Sequence, residues 1–441
     1  MEVTSVERFR SHNPWFKRIW LISALIGFVG LLSPNPLETA VAVFLPVVLL
    51  QILWRPGEPQ VLLLALWMQS LQVIAPVWTS NRDGLSMALI FTSKAYPKAF
   101  FFSVLALIIL ALAARLGAGS SLSVALRNSK TLEDRLNSES LLQCYGLFLG
   151  VQLATPFLAA QAGGLAQLVL PLASIRLIFA YYIIKSSIRK RKINLSALAI
   201  LLVETVLGIT GFFAGFKSIY IITVLAALSA GSNLRILFRT QTMAAIMIFI
   251  LLVSYWQFIK SDYRSFVNKG SNHQVVAVSL SESLNFHSTA LGGIKAEHLV
   301  EGLNDALDRL GYLKFFAGSI QQVPAAIPHQ HGRLWSEAVE FALKPRVLFP
   351  NKGVANDSDR TNTFSGITVA GASEGTSISI GYVGESYIDF GFPLMLAPVA
   401  AMGWLFGRLY RLLILIKPIT PLNFGAATIF ILSTATTFET V

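Results

Sequence analysis

Apolar residues along this chain do not alternate with polar ones. They gather into long blocks, most of which approach the roughly 20 residues that a helix needs to cross a hydrocarbon core. Eleven blocks predict spans near residues 19–33, 37–54, 60–79, 96–114, 140–160, 164–185, 194–213, 218–231, 241–260, 393–414 and 421–438, the first and eighth being short. Pro46 and Pro76 fall inside two of them and predict kinks, because proline removes a helix hydrogen bond. The stretch 84–92 is apolar enough to dip into a bilayer.

The rhythm stops at 261–392, an interval far longer than a connector, and loops of that size usually carry function. Within it, residues 295–312 predict an amphipathic helix. Ile294, His298, Leu299, Leu303, Leu307 and Leu310 share one face, with Glu301, Asp305, Asp308 and Arg309 opposite. Such a helix would lie on the membrane or cap the bundle. A second helix runs from Arg333 to Leu343, stopped by Lys344-Pro345. Asn351 to Ser379, rich in Gly, Ser, Thr and Asn, predicts a mobile loop. The expected fold is thus an all-α polytopic membrane protein: a bundle over 1–260, a large loop over 261–392, and two closing spans over 393–441.

Composition agrees with lipid as the solvent. Hydrophobic residues make up 54% and charged residues only 13%, against about a quarter charged in an ordinary soluble domain. The lone cysteine, Cys144, lies inside an apolar block, so no disulfide framework exists.

In a soluble protein the net charge of +12 would point to nucleic acid. Its distribution gives it another meaning. Arg8, Arg10, Lys17 and Arg18 precede the first span and place the N-terminus in the cytoplasm. Ser33-Pro34-Asn35-Pro36 is a poor cleavage site, which favours an uncut anchor over a signal peptide. On that orientation the inner segments hold 19 basic residues, including Arg55, Lys185, Arg189-Lys190-Arg191-Lys192 and Arg411. The short outer segments hold four, namely Arg82, Lys94, Lys98 and Lys217. The long loop, with ten Lys/Arg and thirteen Asp/Glu, falls outside. The basic excess is a topological signal, and no nucleic-acid partner follows from it. An odd number of spans turns the C-terminus outward.

Charges inside the apolar blocks are costly and so informative. Arg176 and Glu204 sit near the middles of two consecutive antiparallel spans and are expected to pair. Lys217 follows Gly211-Phe-Phe-Ala-Gly215-Phe at an outer mouth, where it either snorkels or meets an anionic ligand. In the loop, Arg346 and Arg360 offer forked contacts and Lys352 a point-charge contact to phosphate oxygens. The bland alternative is a solvated face with local salt bridges. His329-Gln330-His331 is a weak metal signal, and no His-Glu-x-x-His, paired cysteine or Walker-type loop is present.

Three features together resemble the Wzy-type O-antigen and exopolysaccharide polymerases, which join bacterial oligosaccharide repeat units. They are Lys344-Pro-Arg346-Val-Leu-Phe-Pro350-Asn-Lys352, Gly384-Glu385-Ser-Tyr387-Ile-Asp-Phe390-Gly391 before a late span, and the many-span layout with its large late loop. The Ala214-Gly215-Phe216-Lys217 step is similar to the family's Gly-Gly-x-Arg step, with lysine replacing arginine. The resemblance implies a metal- and cofactor-independent glycosyltransferase of the C-type fold in the bacterial inner membrane, its loop periplasmic. Its partners would be undecaprenyl-pyrophosphate-linked oligosaccharide, membrane lipid and a chain-length regulator. Lys217, Arg346, Arg360, Lys352 and Arg333 would then hold the pyrophosphate, which needs preorganised cations as its charge develops. Glu385, Asp357 and His331 compete as the base, and Tyr387 could stack on a sugar or serve as an interfacial tyrosine. The rival readings are an O-antigen ligase, acting on lipid A core, and a transporter or flippase. A transporter would show an internal repeat, and none is visible.

Overall fold

The computed structural model describes residues 14–119, 122, 133, 136–162, 172–192, 194–231, 235, 238–271, 275–344, 348–349, 352–353, 356–371 and 377–434. Arg346 lies outside them, as do Pro345 and Pro350 of the same motif. All regular secondary structure among the described residues is helical. Five helices are long and apolar enough to cross a membrane: α2 (Pro36–Leu53), α3 (Val61–Arg82), α5 (Ala95–Ala118), α10 (Thr240–Val267) and α17 (Leu396–Leu415). Three shorter apolar helices accompany them, α8 (Leu195–Ile209), α9 (Lys217–Ser229) and α18 (Pro421–Thr434). The remaining helices of the apolar regions are α1 (Pro14–Gly30), the single turn α4 (Met87–Ile90), α6 (Ser138–Ala162) and α7 (Arg176–Lys190).

Large apolar side chains stand exposed on these helices, with Phe28 73%, Leu195 78% and Leu202 64% accessible. Water would oppose such a surface, whereas acyl chains are as apolar as the side chains themselves. The chain is therefore a helical membrane protein.

Where helices meet, small residues let backbones touch. On α17, Gly403 and Gly407 are one turn apart, and a Cβ on either would fall 2.5 Å from Leu110 O and 2.0 Å from Ala114 O of α5. This small-xxx-small seam makes α5 and α17 the tightest pair of the bundle. At one end of the bundle, polar groups bind the helix ends together. Arg55 meets Glu58 at 3.0 Å, and Glu58 accepts from Leu122 N at 3.1 Å and from Tyr410 OH at 3.3 Å. Arg411 donates to Ala118 O at 3.0 Å, and Lys185 meets Glu133 at 2.9 Å.

Arg176 and Glu204 pair as expected, in a forked geometry of 2.7 and 3.0 Å, with Tyr145 OH and Gln152 Oε1 completing the cage. The expected mid-helix position of Arg176 is corrected. The chain breaks from helix at Ile175, and Arg176 opens α7 while donating to Ala173 O. A guanidinium at a helix break can satisfy freed carbonyls as well as its carboxylate.

The 261–392 interval is more ordered than its composition suggests. After α10 the chain reverses, Ala277 N donating to Val267 O at 2.7 Å, and α11 (Leu280–Gly292) runs back beside α10. Ser279 and Glu282 form a capping box that starts it. α12 (Ala296–Leu310) then returns along α10 and α3. Its Gly302 lies so close that a Cβ would sit 2.0 Å from Ser254 O. The amphipathic helix therefore packs into a hairpin against α10, not as a cap over the bundle. α13 (Leu313–Gln322) and α14 (Arg333–Leu343) follow. The expected mobile loop contains α15 (Asp357–Ser365), started by Asn356 accepting from Ser358 N. Last comes α16 (Tyr382–Phe390), a buried helix anchored to the bundle by Tyr382 OH on Gln69 of α3 at 2.8 Å.

Candidate functional site

Two groups of charged side chains stand out, and they are distinct. The first gathers at the C-terminal end of α10. Lys260 and Arg264 are four residues apart and so share a face of that helix. Lys217 starts α9 beside them, and α12 brings Arg309 from the returning hairpin. Each of these four cations lies within electrostatic range of the other three. Among the described residues no carboxylate comes within ion-pair distance of any of them. Asp308, next to Arg309, turns to Arg82 at 3.4 Å.

Arg264 is oriented by its surroundings. Its Nε donates to Phe212 O at 3.3 Å, and its guanidinium lies over the rings of Phe212 at 4.8 Å and Phe213 at 5.7 Å. The Gly211–Phe216 step thus serves the site through an aromatic platform. The backbone amides of Lys217 and Ser218 are spent on Ala214 O and Gly215 O, so an anion would meet side chains here.

His287 of α11 locks the hairpin that carries Arg309. Its Nε2 lies 3.0 Å from Ile209 O and its Nδ1 2.9 Å from Tyr255 OH. A carbonyl can only accept, so the proton sits on Nε2 and Nδ1 accepts from the tyrosine. Burial pushes this imidazole down toward its neutral form.

The second group forms where α14, α15 and α16 meet. Glu385, 2% exposed, faces Arg360 Nη1 at 3.9 Å, while Arg360 Nη2 binds Glu337 at 2.9 Å. Burial pushes the Glu385 carboxyl up to about 7. Arg360 opposes that rise, and Asp357, Asp389 and Glu337 add to it. Asp389 holds the arrangement together by accepting from Leu334 N at 3.1 Å and Trp335 N at 2.9 Å, which caps α14.

The structure sorts the sequence-derived residues between these groups. Lys217 belongs to the cation set; Arg360, Glu385 and Asp357 belong to the carboxylate set; no ion pair or hydrogen bond among the described residues joins the two. Arg360 is committed to carboxylates instead of standing ready for a phosphate. Arg333 is exposed, 4.0 Å from Glu337. Lys352 donates to Phe341 O at the end of α14. His331 has a left-handed backbone (φ 54°), donates its amide to Asp389 O at 2.9 Å and leaves its imidazole exposed. Tyr387 is packed beside Phe102, Phe316 and His329 with its hydroxyl on Val323 O. His329 turns Nδ1 to Ile388 O at 3.2 Å.

Sequence reasoning missed Lys260, Arg264 and Arg309. The i,i+4 basic pair at the outer end of a predicted span, on the side where cations are disfavoured, was the available signal.

The family described as Domain of unknown function (DUF8712) matches residues 107–412, more than two thirds of the chain. The chain belongs to that family. No curated protein and no solved structure matches it. The DUF8712 region runs from within α5 to within α17, so both charge groups lie inside it.

Proposed function

We propose that this DUF8712 protein is a membrane-embedded glycosyltransferase that joins undecaprenyl-pyrophosphate-linked oligosaccharide repeat units into O-antigen or exopolysaccharide. The carrying observation is the set of four neighbouring cations, Lys217, Lys260, Arg264 and Arg309, with no carboxylate within ion-pair distance among the described residues. Like charges held together without counter-charge are unfavourable in the unliganded protein, and a polyanion relieves that cost. A diphosphate leaving group gains negative charge as its bond to the anomeric carbon breaks, and preorganised donors favour that state over the ground state.

On the eleven-span reading these cations lie at the periplasmic mouth of the inner membrane, where a lipid-linked diphosphate would present itself. α10 supports that height. Its 28 residues span about 42 Å against a hydrocarbon core of about 30 Å, long enough for the last turns, which carry Lys260 and Arg264, to reach the headgroup region. Among Glu385, Asp357 and His331, Glu385 is the base candidate proposed here, since burial raises its carboxyl to about 7, where it holds or releases a proton near neutral pH. The acceptor hydroxyl would lose its proton as its oxygen bonds the anomeric carbon, and the bond electrons would leave with undecaprenyl pyrophosphate.

The test uses purified protein in liposomes with lipid-linked repeat units. A ladder of polymer lengths supports the reading, and unchanged single units overturn it. In cells, deletion should leave single-repeat products; long chains stranded on carrier lipid would instead indicate a ligase.

A further inference from the structure

α14 is held rigidly on one side and left bare on the other. Leu334 is buried, the Asp389 carboxylate fixes the first turn, and Trp335 Nε1 donates to Ser386 Oγ at 3.0 Å. From that anchor, Trp335, Val339 and Leu343 recur every four residues and form an outward stripe. Val339 is 50% and Leu343 75% exposed, and the chain continues with Leu348 72% and Phe349 45% exposed. The stripe borders an open groove of about 520 Å³ lined by Trp335, Ser336, Val339, Glu340, Leu343 and Lys344.

The height of this surface is set by its neighbours. Phe392, just past α16, stacks on Phe102 with ring centroids 4.5 Å apart. Phe102 belongs to α5, one of the five membrane-length helices, and Leu396 starts another, α17. Asp389, which caps α14, lies three residues before Phe392. The helix therefore leaves the protein at the edge of the hydrocarbon. Phe392 and Leu394, 48% and 66% exposed, extend the bare apolar surface toward α17. Its polar border carries an ion pair, Lys344 Nζ on Glu340, with that ammonium 6.0 Å from the Phe349 ring, and Lys352, whose Nζ donates to Phe341 O and lies 3.4 Å from the Phe341 ring. Lysines beside aromatic rings suit the headgroup level, where stems lie in lipid and ammonium groups reach polar partners.

We propose that α14 and residues 348–349 dock in the bilayer leaflet at this end of the bundle, the Trp335–Val339–Leu343 stripe against acyl chains and the Glu340–Lys344 pair at the polar border. The occupant is bulk lipid, as the apolar surface runs on into a membrane helix and carries that pair at its rim. This docking fixes the height of the Arg360–Glu385 group, where α14, α15 and α16 meet, and it does not depend on the glycosyl-transfer reading.

The test is photolabelling of the wild-type protein in phosphatidylcholine–phosphatidylglycerol vesicles that contain a lipid with an acyl-chain diazirine, followed by peptide mapping. Labels on residues 339–349, as dense as those on α17, are expected. Labelled α17 with an unlabelled 339–349 peptide overturns the proposal. A second measurement uses nitroxides on single cysteines, with Cys144→Ser as background. Leu343→Cys should collide with oxygen several-fold more than with a water-soluble nickel complex, relative to Glu337→Cys. Equal ratios at the two sites, or spin–spin broadening at Leu343→Cys from a second copy, also overturn it.

Discussion

Arg309 and Glu385 carry the sharpest residue-scale consequences. Removing one preorganised donor from a developing anion costs about 10²- to 10³-fold in turnover. Arg309→Ala and Arg264→Ala should each lose about that factor in the liposome assay, while Arg333→Ala, whose side chain is solvated, should change the rate little. Glu385 makes a prediction about pH. Its carboxyl is held near 7 in the folded protein against an ordinary value of 4.5, so the native state keeps a proton that the unfolded state releases. Stability therefore falls as pH rises from about 4.5 to about 7 and levels off above, by an amount on the order of 3 kcal/mol. Glu385→Gln should flatten that slope in thermal unfolding followed between pH 5 and pH 8, and should also remove any rate inflection near pH 7. A slope unchanged by Gln would assign the titration elsewhere.

At the scale of elements, pairing decides the outcome. Arg176 and Glu204 were legible in the sequence because their cost in lipid is large and their depths match. Removing one partner should destabilise by about 3–5 kcal/mol, because it strands the other charge. Glu204→Gln should thus sharply lower detergent-extracted stability, and the double exchange Arg176→Glu with Glu204→Arg should recover much of it. The cation set was not legible, because its members are spread from residue 217 to 309 and meet only through the α11–α12 hairpin. In sequence, Arg309 reads as one more polar residue on an amphipathic helix. Its place in the cation set depends on Gly302, which lets α12 touch α10. Gly302→Val should push α12 away and reduce turnover as far as Arg309→Ala does, with membrane insertion unchanged; full activity would show that the hairpin's position is irrelevant. Similarly, Arg360 invited a phosphate reading from composition, and only the approach of α14 showed that Glu337 claims it.

For the whole molecule, the apolar blocks and the helical class were readable because lipid imposes both, whereas span counts blur where blocks break into short helices, as at Ile175. The basic asymmetry gives a testable orientation. With Cys144→Ser as background, Glu301→Cys and Ser336→Cys should react with an impermeant maleimide in intact cells. Lys192→Cys and Lys417→Cys should react only after the membrane is opened. The reverse pattern would invert the molecule.

The hairpin fold-back separates two events that are easily confused. Everything needed to enter the bilayer up to Val267 is made before Leu280 emerges, yet the cation set lacks Arg309 until α12 has doubled back onto Ser254. A chain stopped ahead of Leu280 would fractionate with membranes and still hold only three of the four cations. Delivery to the membrane would thus report biogenesis alone, and on the proposed reading activity would wait for the hairpin that His287 ties to Ile209 and Tyr255.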